Sequence, residues 1–116
     1  VNSKPPKFGD PILLDLGGLG LRGIGSTKTG YYLIAGPIDN EAECRLFTWE
    51  GGNAAPQLLK DVRFPGINPE AICFHDASGR TDFYLFSDDG TRSIGGKDCK
   101  LLPESERRFR AFRLVP

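Results

Sequence analysis

The sequence predicts an all-β fold of two four-stranded antiparallel sheets, each like a propeller blade and together a partial β-propeller. A small β-sandwich is the alternative. Three observations lead there. Four short apolar segments recur in one order: Pro11-Ile12-Leu13-Leu14 returns 45 residues on as Pro56-Gln57-Leu58-Leu59, and Arg22-Gly23-Ile24 returns 48 on as Glu70-Ala71-Ile72. Tyr31-Tyr32-Leu33 returns 52 on as Phe83-Tyr84-Leu85, and Arg45-Leu46-Phe47 returns 65 on as Arg110-Ala111-Phe112. A repeat of roughly fifty residues built from short strands is the sequence pattern of a four-stranded blade. The glycines and prolines, 15 and 9 of them, punctuate the chain instead of clustering, as frequent tight turns require. No window sustains a helical period, and Pro103 interrupts the best candidate, residues 101–109.

Taken in order, residues 1–10 are polar and proline-bearing and read as an arm or linker, followed by a two-blade domain over 11–116 with units of about 11–55 and 56–116. Residues 11–16 form a short apolar strand. Gly17-Gly18-Leu19-Gly20 is a turn that needs a residue at positive φ, where glycine carries no steric penalty. Residues 19–25 place small side chains on both faces and suggest a closely packed inner strand. Residues 31–35 are a continuous apolar run bounded by glycine and Gly36-Pro37, which fits a strand covered on both sides. An acidic loop spans 38–43. Residues 44–49 alternate as a strand, closed by the turn Glu50-Gly51-Gly52-Asn53.

The second unit keeps that order: a strand over 57–64, a turn at Pro65-Gly66, a strand over 71–75, a polar hairpin loop over 76–82 that is longer than its counterpart around Thr27, and a strand over 83–86. After the turn Ser87-Asp88-Asp89-Gly90, a 17-residue loop over 91–107 precedes the last strand, 108–115. Loops of that length are usually functional or mobile. Each unit therefore begins with the outermost strand of the preceding blade and then supplies three inner strands of its own. Two blades cannot close a ring. The missing blades lie elsewhere in a parent chain, or come from other copies through exposed sheet edges, or the two sheets fold over each other as a sandwich.

A chain of 116 residues can bury about two-thirds of its unfolded surface, enough for one core. Formal net charge is zero, so no global field favours nucleic acid or an anionic membrane. The arginines at 107, 108, 110 and 113 read as a solvated strand face. No apolar run approaches the roughly 18 residues of a membrane helix. The start at Val1 and the absence of methionine suggest a piece of something longer. Cys44, Cys73 and Cys99 fit no zinc spacing. Cys73 reads as a small buried apolar residue, and nothing in the sequence selects or excludes a Cys44–Cys99 bridge.

Gly18-Leu19-Gly20-Leu21-Arg22, Tyr32-Leu33-Ile34-Ala35-Gly36-Pro37, Arg45-Leu46-Phe47-Thr48-Trp49-Glu50-Gly51 and Asn68-Pro69-Glu70-Ala71-Ile72 together resemble a bacterial domain-of-unknown-function family. The resemblance covers residues 8–116 and implies the C-terminal part of a longer propeller-like domain, with no activity attached. More loosely, the Glu70-Ala71-Ile72 triplet and the strand ending in Ser87-Asp88 are similar to the phytase-like and esterase-like propellers. Ala71 stands there in place of a glycine, and the acidic clusters that hold calcium in the phytase-like group are not visible.

Arg22 and Glu70 occupy equivalent places at the starts of the two innermost strands. An arginine grips carboxylate or phosphate through parallel hydrogen bonds, and a glutamate holds a metal or acts as a base. The structural reading is that the two pair across the sheets and fix register. Asp88 and Asp89 offer oxygen ligands for calcium, although Asp-Asp-Gly is also what a β-turn prefers. His75 is the sole histidine, and neither Ser87 nor Ser93 lies in a nucleophile elbow. Phe47, Trp49 and Phe112 read as sheet-to-sheet core. The function expected first is a binding or assembly module of a longer protein. The second is a calcium-assisted hydrolase of phosphoesters or lactones, with Glu70, Asp88 and Asp89 as ligands and Arg22 on the anion; no other cofactor is expected.

Overall fold

The structure, a computed structural model, describes residues 3–38 and 43–114. Most of the acidic loop at 38–43 and the end of the strand expected over 108–115 lie outside the described residues. The fold is all-β and antiparallel. Its strands are β1 (Gly20–Thr27), β2 (Gly30–Gly36), β3 (Arg45–Trp49), β4 (Gln57–Leu58), β5 (Pro69–Ala77), β6 (Arg80–Ser87), β7 (Ser93–Ile94), β8 (Lys97–Asp98) and β9 (Ala111–Leu114). The first sheet has the order β1-β2-β3-β4, the second β5-β6-β9, and β7-β8 form a separate small hairpin. The sheets do not close into a ring, and the second has three strands where four are expected.

Both large sheets open the same way. In each, a long hairpin turns through two residues: Lys28-Thr29 joins β1 to β2 and Ser78-Gly79 joins β5 to β6. Ser78 and Gly79 both sit at positive φ, as the tight mirror-image hairpin turns demand. The polar segment 76–82 is thus not a long loop. Asp76 pairs with Thr81 and His75 with Asp82 in register, because backbone groups make the ladder whatever the side chains, here the exposed His75 and Asp76 and the buried Asp82. Each hairpin also carries a bulge near its first strand's start, at Arg22 in β1 and at Glu70 in β5. A bulge adds one residue and bends the strand, which re-aims that side chain.

Alternation past the bulges sorts the faces. Gly23, Gly25, Tyr32, Ile34 and Leu46 of the first sheet face Ile72, Phe74, Phe83, Leu85 and Phe112 of the second. Residues of the 59–67 connection, Leu59, Val62, Phe64 and Ile67, complete this core. That explains why the strand expected over 57–64 stops at Leu58: after Leu59 donates its amide to Leu46 O, the chain turns inward to bury apolar side chains. The opposite face of the first sheet is a second apolar cluster of Leu33, Ala35 and Phe47, covered by Leu14, Leu16 and Leu19 and flanked by the tilted ring pair Tyr31–Trp49. Phe47 and Trp49 therefore belong to the face away from the second sheet, and only Phe112 of the three expected aromatics sits between the sheets.

Residues 11–16 form no strand, since no neighbouring edge pairs with them; Leu13 is 93% exposed. Cys73 is exposed, correcting the buried reading. It stands opposite Tyr84 on the outward face, one residue out of phase with the buried Ile72. Cys44 and Cys99 are buried and free, and Cys99 is instead enclosed by Arg108, whose amide donates to its sulfur. The stretch 91–107 is not structureless: it holds the β7-β8 hairpin and two 3-10 turns, Cys99–Leu101 and Glu104–Glu106.

Two predictions follow from this packing. A methyl group on Gly23 would lie 2.8 Å from the Glu70 carbonyl oxygen, an atom fixed by the backbone. Gly23→Ala is expected to cost about 1–3 kcal/mol in urea unfolding as the sheets are levered apart. Thiol titration of the native chain is expected to label Cys73 alone, with Cys44 and Cys99 reacting only in denaturant.

Candidate functional site

The two bulges bring Arg22 and Glu70 face to face, and their side chains form an ion pair between the sheets. Gly36 makes room for it, since any side chain there would overlap the arginine. The same guanidinium donates to Asn68 Oδ1 at 3.2 Å and to the Pro37 carbonyl at 3.5 Å. Glu70 remains 41% exposed, so this pair contributes at most about 1 kcal/mol.

Asn68 carries the connection further. Its amide donates to Ser87 Oγ, and that hydroxyl donates in turn to Asp89 Oδ1 at 2.7 Å. Asp89 is 2% exposed and is clasped by Arg110: Nε donates to Oδ2 at 2.8 Å and Nη2 to Oδ1 at 2.9 Å. The Arg110 amide adds a bond to Oδ2 at 2.9 Å. Two-pronged arginine binding with every oxygen satisfied is the geometry in which a buried carboxylate is retained as an ion. The side-chain bonds from Arg110 outweigh burial and hold Asp89 far below the usual carboxylate range.

Arg22, Asp88 and Asp89 line one cleft of about 450 Å³ between the sheets, together with Asn68, Arg92 and Arg110. Glu70 reaches it only through its bond to Arg22. Three of the four sequence candidates are therefore brought together, with Arg22 and Asp89 already engaged by other residues of the chain. Asp89 has no lone pair left for a metal. Asp88 is exposed and caps its own turn, accepting the Gly90 amide at 3.1 Å. Among the described residues no group of three or more histidine, cysteine or acidic side chains could hold a metal ion. The carboxylates proposed as a calcium set thus serve as a latch, a turn and a buried anchor. Ser87 is spent on Asp89, and His75 lies on the outward face across from Asp82.

A second internal pair lies on that outward face. Asp82 receives both Arg113, at 3.0 Å, and Arg80, at 3.1 Å, and the Arg113 bond draws its carboxyl below the ordinary range. Arg107 and Arg108 donate to backbone carbonyls of their own turn. Of the four arginines read as a solvated strand face, two are ion-pair partners, a role that sequence spacing does not reveal because their acids lie 21 and 31 residues away. Cys44 lies beside the Arg22–Glu70 pair, and burial pushes its thiol up despite the pull of Arg22. No family model, curated protein or solved structure matches the chain.

Asp89 sets an acid limit on stability. Its carboxyl is depressed in the folded state, so below about pH 4 the unfolded chain takes up the proton first and each further drop favours unfolding. Urea unfolding at pH 7 and pH 3 is expected to show this loss. Asp89→Asn is expected to cost about 3 kcal/mol at pH 7, by leaving Arg110 without its partner, and to flatten the acid limb.

Proposed function

We propose that the chain is a binding or assembly module of propeller-like kind, whose work is to pack against further β-sheets instead of catalysing a reaction. The observation that carries this reading is the direction of the packing. In the first sheet the row Ile24, Leu33 and Phe47 points away from the second sheet; the matching row Ile72, Leu85 and Phe112 of the second sheet points toward the first. The two sheets are therefore stacked head to tail, one kind of face on the opposite kind. Such a contact never satisfies itself: it leaves the second sheet's outward face open, and the first sheet's far face, covered at its centre by Leu14, Leu16 and Leu19, open along β1.

Those open faces have apolar content. Leu21 and Ile24 are about half exposed on the first sheet, and Phe86 is 44% exposed on the second, beside Ala71 and Tyr84. A face-to-face pair is common to a sandwich and to neighbouring blades; here the second sheet's outward face is mixed, with Phe86, Ala71 and Tyr84 toward one end and His75 and the Asp82–Arg113 pair toward the other.

The test is Phe86→Lys. The chain is expected to bind a hydrophobic dye and to gain mass with concentration in light scattering, and the substitution to reduce both. A wild-type chain that stays monomeric and dye-free at hundreds of micromolar would remove the reading.

A further inference from the structure

The two large sheets differ by one strand, and the chain contains the segment that matches the missing one. In the first sheet the outer strand β4 comes from Pro56-Gln57-Leu58-Leu59. The second sheet ends at β9 with an open edge. Pro11-Ile12-Leu13-Leu14 repeats the β4 segment, yet it pairs with nothing and exposes Ile12 and Leu13 at 51% and 93%. The flanking residues already behave alike. Leu59, Val62 and Phe64 pack on the sheet that follows β4, and Leu14, Leu16 and Leu19 pack on the sheet that follows the unpaired segment. Only the partner edge is absent.

We propose that residues 11–14 of one copy of this chain add as a fourth strand to β9 of a second copy, a head-to-tail strand donation. The proposal rests on the assembly reading above and makes it specific. Its register is set by β3 and β4, where Phe47 pairs with Leu58, Thr48 with Gln57, and the Leu59 amide bonds Leu46 O. Transferred to β9, Leu13 pairs with Phe112, Ile12 pairs with Arg113, and the Leu14 amide donates to Ala111 O. Backbone bonds supply the affinity, and Leu13 completes the row that begins at Ile72, Leu85 and Phe112.

The donated strand brings the donor's first sheet against the acceptor's outward face, so the two contacts form one continuous interface. The arrangement repeats the stacking already present inside the chain. Rings of about two to four copies would hold the four to eight sheets that propellers use.

The experiment uses the full chain. Sedimentation equilibrium is expected to show association, and Leu13→Asp to weaken it by about tenfold or more, with an unchanged melting midpoint at dilutions where both chains are monomeric, because Leu13 is 93% exposed there. A benzophenone amino acid at position 12 is expected to cross-link residues 111–114 of another copy. If the chain associates while Leu13→Asp has no effect and the cross-links fall outside 111–114, strand donation is wrong and the assembly reading stands. If the chain remains monomeric throughout, both fail.

Discussion

The close approach of β1 to β5 is the constraint on which the rest of the molecule depends. Two sheets normally keep their backbones about 10 Å apart because side chains lie between them. Here the facing positions of β1 are Gly23 and Gly25, and the neighbouring backbone and the Phe74 ring occupy the space their side chains would fill. With the inner strands drawn together, the bulged residues Arg22 and Glu70 come within bonding distance, and Tyr32, Phe74 and Phe83 meet as an aromatic cluster farther along the hairpins. The larger side chains on the outer strands hold the sheets apart at the other margin.

Charge in this molecule is organised by pairs. Arg110 and Arg113, from the last strand and its approach, each answer an acid from the β5-β6 hairpin or the turn after it. A net charge of zero is thus an internal arrangement as much as a surface property. The cleft that gathers most of the sequence candidates holds Arg22, Asp89 and Arg110 with partners already made, while Asp88 and Arg92 stand exposed at its rim.

Much of this was legible from apolar spacing. The β2 and β3 strands fall where continuous and alternating patterns put them, because a two-residue period reports burial directly. The equivalence of Arg22 and Glu70 was legible too, and the structure joins them in an ion pair across the sheets. Other features were not. Cys73 follows the pleat, and a bulge three residues upstream sets which face it takes, so a short apolar stretch misreports its burial. Asp76 and Asp82 looked like loop because polarity marks exposure, whether or not the backbone is paired. Residues 11–16 have the pattern of a strand, but a strand needs an edge beside it, and that lies beyond what a single segment can encode. The clasp of Arg110 on Asp89 depends on a fold that brings them together across a long excursion.

That excursion, 91–107, leaves the second sheet between two strands that are already tied at its base. The Ser87 amide bonds Arg110 O, Asp89 clasps Arg110, and the sulfur of Cys99 is held by the Arg108 backbone. Because the Ser87–Arg110 and Asp89–Arg110 bonds lie outside the excursion, lengthening its exposed hairpin turn at Gly95-Gly96 costs only the slow logarithmic penalty of a larger loop, about 0.6 kcal/mol per doubling. The fold thus contains a port where new sequence can be grafted and surface properties diversified while the β-framework stays unchanged.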